Sequence, residues 1–188
     1  MADWEQKREH RNHYNNTADI YDDRYLNEQN AKIETALKHL ELKNQGSIID
    51  LGCGTGLLLP KIQRSTRQVV GLDISRTMLR KIELRKKRGA NIHLILADAD
   101  QTPLQQSCFD ILFAVTLLQN MPNPLNTLLE MRRIIKADGV IVVTGLKKKY
   151  SERRFIKHLK SAGLKAELLE TDNNIKCHIA ICRKFTAA

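Results

Sequence analysis

The stretch Ile48–Leu58 reads IIDLGCGTGLL and sets glycines at alternate positions, Gly52, Gly54 and Gly56, directly after an apolar run. Such a run reads as a buried strand, and three alternating glycines end it in a loop whose backbone reaches conformations closed to other residues. Glycine also removes side chains, so a ligand can approach the backbone. The feature constrains the chain to a strand–loop–helix unit with a ligand at the loop.

The rest of the chain repeats that unit. Apolar strands are expected at Ser47–Leu51, Val69–Asp73, Ile92–Ala97, Phe109–Val115 and Val140–Thr144. Helices are expected between them over Thr55–Arg64, Arg76–Arg88 and Leu125–Lys136, with Ser75 as an N-cap, Thr55 helping to cap its helix, and Gly89 closing the second. Ser151–Ser161 predicts an amphipathic helix ended by Gly163. Leu164–Glu170 and Lys176–Arg183 predict a hairpin across the turn TDNN. Before the first strand, Glu5–Tyr25 and Glu28–Lys43 read as two helices. Strands alternating with helices give an α/β fold, a mostly parallel sheet covered on both faces, with an antiparallel hairpin at its end.

In an open parallel sheet, ligands bind beyond the carboxyl ends of the strands where strand order reverses. Two common loop chemistries do not fit here. A nucleotide P-loop needs Lys-Ser/Thr after its last glycine, and Leu57-Leu58 follows instead. A dinucleotide G-x-G-x-x-G loop needs a third glycine at a position held by Leu57 or Leu59, depending on where it starts.

The segment DLGCGTG resembles the first motif of class I S-adenosylmethionine-dependent methyltransferases. Asp73 at the end of the second strand and the Asp98 of LADAD at the end of the third match that family's later acidic positions. The resemblance covers about Ile48–Arg183, including the terminal hairpin, and implies a Rossmann-like, three-layer fold around a seven-stranded sheet, with the last strand antiparallel inside an otherwise parallel sheet. ADIYDDRY (Ala18–Tyr25) is similar to the entry segment of the ubiquinone- and menaquinone-biosynthesis methyltransferases.

The resemblance implies S-adenosylmethionine as cofactor. Asp50 and the backbone of Gly52, Cys53, Gly54 and Gly56 would face its methionine part. Asp73 and the adjoining Ile74 would take the ribose, since a carboxylate accepts two O–H donors from a diol. Asp98 and the Ala99 amide would take the adenine, and Met78 would pack on the ring, with Thr116 completing the set. Each acidic residue also has a structural reading, as strand-end cap, turn former or helix N-cap, and a Met at the spacing of Met78 on an amphipathic helix is more often core.

Methyl transfer is an in-line displacement in which the cofactor's sulfonium brings the reactivity and the protein aligns the nucleophile. The acceptor is expected at the end of the fourth strand. Its sequence there, TLLQNMPNP, lacks the N-P-P-Y pattern of base-amine methyltransferases. Gln119 and Asn120 stand where the related subgroup often has histidines, and amides cannot serve as bases. Asn120, Tyr21 and Tyr25 are the candidate catalytic residues. With His13, Tyr14 and Arg24, the two tyrosines lie on a segment (1–45) that would form a lid over the 46–188 core, or simply anchor that segment. His178 is expected at a surface or sheet edge.

The net charge is +10, concentrated in Arg80–Arg88 and in Lys147, Lys148, Lys149, Arg153 and Arg154. A solvated face and a footprint for RNA or an acidic protein both fit this charge. A small metabolite under the lid and a catalytically silent cofactor-binding subunit are the other readings. The four cysteines form no C-x-x-C pair and are expected to be reduced and mostly buried, with no metal. No apolar run approaches the ~20 residues of a membrane span, and the polar N-terminus lacks the apolar core of a signal peptide. A cytoplasmic protein is the expectation.

Overall fold

The structure, a computed structural model, describes residues 2–42, 45–85, 91–172 and 174–185. Seven strands form one sheet in the order β3-β2-β1-β4-β5-β7-β6. They are β1 (Gln45–Leu51), β2 (Thr66–Asp73), β3 (Ile92–Leu96), β4 (Phe109–Ala114), β5 (Ile135–Leu146), β6 (Leu164–Leu168) and β7 (Cys177–Lys184). The first five run parallel, and β7 inserts antiparallel between β5 and β6. This is the Rossmann-like α/β sheet with its antiparallel terminal hairpin.

Neighbouring residues of a strand point to opposite faces, so one strand feeds two cores. Ile49, Leu112 and Val143 join Leu128 and Met131 of α4 (Pro124–Ile134) and Phe155 and Leu159 of α5 (Glu152–Ser161). Ile48, Ile111 and Val142 face the other way. They pack with Leu59 and Ile62 of α2 (Leu59–Ile62), Leu79 and Ile82 of α3 (Arg76–Arg85), and Ile33 and Ala36 of α1 (Ala2–Leu37). Burial on both faces is why the strands read as continuous apolar runs.

Three expectations change. The N-terminal region is one helix of 36 residues, Ala2–Leu37, rather than two helices, and it passes through Leu26-Asn27 without a break. Lys43 lies outside the described residues. The helix after the glycine loop is only Leu59–Ile62, continued by a 3-10 turn at Gln63–Ser65. Pro60 stands in its first turn, and Thr55 turns its hydroxyl toward Asp22 of α1 rather than capping it. His178 is on β7, inside the sheet, stacked on Phe155 with ring centroids 5.8 Å apart.

Other details agree closely. Ser75 Oγ accepts from the Met78 amide at the start of α3, and Ser151 caps α5. Gly163 ends α5 with φ 72°. The end of the basic run, residues 86–88, with Gly89 lies outside the described residues, as does Asn173 of the TDNN turn. Cys53, Cys177 and Cys182 are buried, Cys108 is half-buried, and all four are free thiols. Among the described residues no helix is long and apolar enough to cross a membrane.

Candidate functional site

The carboxyl ends of β1, β2, β3 and β4 open into a cleft of about 730 Å³, counting space continuous with solvent. Gly52, Gly54, Asp73, Ile74, Met78, Asp98, Ala99, Thr116 and Asn120, all residues the sequence singles out, line it. The strand order reverses between β1 and β4, which places the cleft at the topological switch point.

The three loop glycines all have positive φ, 75°, 53° and 80°, but two serve different ends. A Cβ on Gly54 would meet nothing within 4 Å, because this residue faces the open cleft. A Cβ on Gly56 would come within 2.8 Å of Ile82, so this glycine lets α3 close on the loop and does not line the cleft. Asp50 and Cys53 border a smaller adjoining pocket with Tyr21, Gln29 and Thr55.

Asp73 binds the loop to the start of α3. Its Oδ2 accepts from the Gly54 amide and its Oδ1 from the Ser75 amide, both at 2.8 Å. Burial raises its pKa, and the amides of Ser75, Gly54 and Ile74 only partly offset this. Asp50 is pushed up to about 7, first by burial and then by the nearby Asp73 charge. A cationic ligand group beside this pair would relieve both.

The α1 helix forms the facing wall, and Lys7, His10, Tyr14 and Tyr21 line the cleft from it. The Lys7 ammonium reaches Asp98 at 2.7 Å and Asp100 at 2.6 Å. Burial opposes its charge, but the bonds to Asp100 and Asp98 prevail and raise its pKa. The His10 pKa is lowered, by burial and then by the charges of Lys149 and His13. Asn15 accepts from Ser75 Oγ at 2.6 Å, and Asp19 and Asp22 pair with Lys81 and Arg85 of α3 at 2.8 Å. These contacts fasten the helix across the strand ends. Tyr25 does not line the cleft. It is 42% exposed and packs behind Tyr21, with ring centroids 5.0 Å apart. His13 and Arg24 also lie outside the lining.

Lys7, His10, Leu117 and Met121 line the cleft and were not predicted from the sequence. The first two have a signal in hindsight. Positions 7, 10, 14 and 21 share one face of a helix, but that face is polar and hydropathy is silent about it.

A glycine loop, an acidic residue at the carboxyl end of each of β1, β2 and β3, and a covered cleft at the switch point define a nucleoside-cofactor-binding α/β protein. Residues 49–143 match the family described as "Methyltransferase domain". The chain belongs to the class I S-adenosylmethionine-dependent methyltransferase family, and S-adenosylmethionine is the cofactor the fold supports.

Among curated relatives, a malonyl-[acyl-carrier protein] O-methyltransferase of Marinomonas sp. is 32% identical over 126 residues, 66% of this chain and 47% of that protein. A demethylmenaquinone methyltransferase of Staphylococcus saprophyticus is 33% identical over 109 residues, 56% of this chain and 47% of that protein. The chain thus spans about half the length of these relatives. Among solved structures, a SAM-dependent methyltransferase from Aquifex aeolicus superposes with TM-score 0.77 at 22% identity, covering 89% of this chain and 97% of that one. The DhpI–SAH complex superposes with TM-score 0.77 at 18% identity, covering 93% and 94%.

Proposed function

We propose that this chain is an enzyme that transfers the methyl group of S-adenosylmethionine to a small acceptor group enclosed between the strand ends and α1. The single observation that carries this is the wall formed by α1. Its Tyr14 and Tyr21 line one cleft with Gly54 and Asp73, and Tyr14 closes on Asn120 at 2.8 Å. A flat, open acceptor site would not need that wall, and exclusion of water supports positioning of the nucleophile.

The carboxylate of Asp73, with Ile74, suits the ribose diol. Asp98 and the Ala99 amide suit the adenine edge, with Met78 packed beneath the ring. Asp50 and the loop from Gly52 to Gly54 suit the methionine end, whose ammonium would compensate Asp50. Met78 is only 1% exposed, so it fills the core and borders the cleft at once.

A second reading adds a large carrier. Lys147, Lys148, Lys149, Arg153 and Arg154 form an exposed basic rim, and Lys149 Nζ donates to the Gln119 carbonyl at 2.6 Å, beside Asn120. Such a rim favours an acceptor presented on an acidic protein or RNA. One relative is named for a malonyl group on a carrier protein and the other for demethylmenaquinone. The test is calorimetric binding of S-adenosylmethionine and S-adenosylhomocysteine, followed by transfer of labelled methyl into fractionated cell extract. Label in a low-molecular-mass fraction supports the enclosed acceptor. Failure to bind either cofactor form would overturn the reading.

A further inference from the structure

Thr116 stands two residues beyond β4 with φ 62°, a left-handed conformation that costs a non-glycine residue about 1–2 kcal/mol. Its amide donates to Thr144 Oγ1 at 2.7 Å. Its hydroxyl and its carbonyl each begin a short hydrogen-bond chain, and each chain ends on a tyrosine of α1.

The first chain starts from a group that can only donate, the second from one that can only accept. In the first, Lys32 Nζ donates to Thr116 Oγ1 at 2.7 Å. The ammonium cannot accept, which leaves the Thr116 O–H free, and it donates to Gln29 Oε1 at 3.0 Å. That turns the Gln29 amide so that Nε2 donates to Tyr21 Oη at 3.0 Å. In the second, the Thr116 carbonyl can only accept. It takes the Asn120 Nδ2 donor at 3.1 Å, and the same nitrogen donates to Tyr14 Oη at 2.8 Å.

Both tyrosines therefore accept from the protein, which frees both O–H protons. Among the described residues, neither hydroxyl donates to a protein group. Both residues line the cleft, and their rings stand edge to face at 6.1 Å. Burial raises the pKa of each, so both remain donors near neutral pH.

We propose that Tyr14 and Tyr21 form a paired O–H clamp for an oxyanion of the methyl acceptor, a carboxylate or phenolate, with Thr116 as the positioning residue that polarises both. This rests on the methyltransferase reading and names its substrate class. A lone pair of the acceptor oxyanion forms the new bond to the methyl carbon while the carbon–sulfur bond breaks. The bonding pair stays on sulfur as a neutral thioether, and the product is a neutral ester or ether. No proton has to leave the nucleophile, which accounts for amides, Gln119 and Asn120, at the end of β4. An anionic oxygen could also come from the cofactor's own carboxylate, and the test separates the two sources.

The protein, saturated with S-adenosylhomocysteine, is titrated with acetate, benzoate and 4-nitrophenolate and with the neutral acetamide, benzamide and nitrobenzene. Wild type is expected to prefer at least one anion. Tyr14→Phe and Tyr21→Phe should each weaken that anion about ten- to a hundredfold, as loss of a hydrogen bond to a charged group does. The neutral counterpart and S-adenosylhomocysteine should bind as before. Thr116→Val should reproduce the Tyr21→Phe loss, and Thr116→Ser should restore binding. If no anion is preferred, or if the Phe variants lose S-adenosylhomocysteine instead, the clamp is overturned. A wild type that does not bind S-adenosylhomocysteine fails at the earlier step.

Discussion

The amide of Gly54 donates to the carboxylate of Asp73 at 2.8 Å, tying the loop after β1 to the end of β2. This one bond holds the most open glycine of the loop next to the residue proposed to take the ribose. Removing the charge should therefore reduce affinity for the cofactor more than stability. Asp73→Asn is expected to weaken S-adenosylhomocysteine by about ten- to a hundredfold, the scale of a lost charged hydrogen-bond acceptor. Calorimetry reads it, and an unchanged affinity would remove Asp73 from the site.

Gly54 and Gly56 should part company on mutation. Gly56→Ala combines φ 80° with a Cβ 2.8 Å from Ile82, a left-handed penalty plus overpacking. Together these cost about 2–4 kcal/mol. Thermal unfolding should fall by several degrees. Gly54→Ala has only the backbone penalty and should keep most of the stability while losing cofactor affinity, because its methyl group enters the cleft.

Asp50 makes stability and binding depend on pH in opposite senses. Its pKa is about 7 in the folded protein against ~3.9 unfolded. Between these values the folded state binds more protons than the unfolded one, so its contribution favours folding below about 4 and is lost as pH rises through 7. The free protein should lose stability from pH 5 to pH 8, and Asp50→Asn should flatten the change. A cofactor ammonium beside Asp50 favours the carboxylate, so S-adenosylhomocysteine should bind more tightly as pH rises over the same interval. Chemical denaturation and calorimetry at stepped pH check both slopes.

Removing residues 1–26 should leave the sheet folded and abolish turnover. The part of α1 that packs on the core, with Lys32, Ile33 and Ala36, remains, whereas Lys7, His10, Tyr14 and Tyr21 are lost from the cleft. Circular dichroism and methyl transfer measured together would decide it. Full turnover of the shortened chain would show that the α1 wall is not needed.

The basic rim separates the two acceptor readings. Lys147→Glu, Lys148→Glu and Arg153→Glu together should leave S-adenosylhomocysteine affinity within a factor of about two, since none of the three lines the cleft. If the acceptor rides on a polyanion, the same triple change should abolish binding that falls steeply with salt. Titrations of bulk tRNA and of an acidic carrier protein at two ionic strengths distinguish the cases.

Most strands and the core helices were legible because each buries a definite pattern. Ile48-Ile49 sends adjacent side chains into two cores, and Ile111–Ala114 is apolar on both faces. The terminal hairpin was legible too, and the family resemblance implied a last strand running antiparallel inside the sheet, as β7 does between β5 and β6; what was missed is that this takes His178 inside the sheet. Register between distant strands is not written in local periodicity. The single helix α1 was missed because the inner face that would unify it is polar, so no continuous apolar stripe runs through Leu26-Asn27.

The sequence alone determined the glycine loop, the acidic residues at three successive strand ends and the family they imply. Backbone freedom and strand alternation are local properties, and short spacing encodes them. Tertiary structure decided which of those residues meet and what lies across from them. It separated Gly54, which faces the cleft, from Gly56, which packs on Ile82. It brought Lys7 to Asp98 across 91 positions and Tyr14 to Asn120 across 106. The physical reason is that hydrogen-bond direction and burial depend on partners far away in the chain, and only packing brings those partners together.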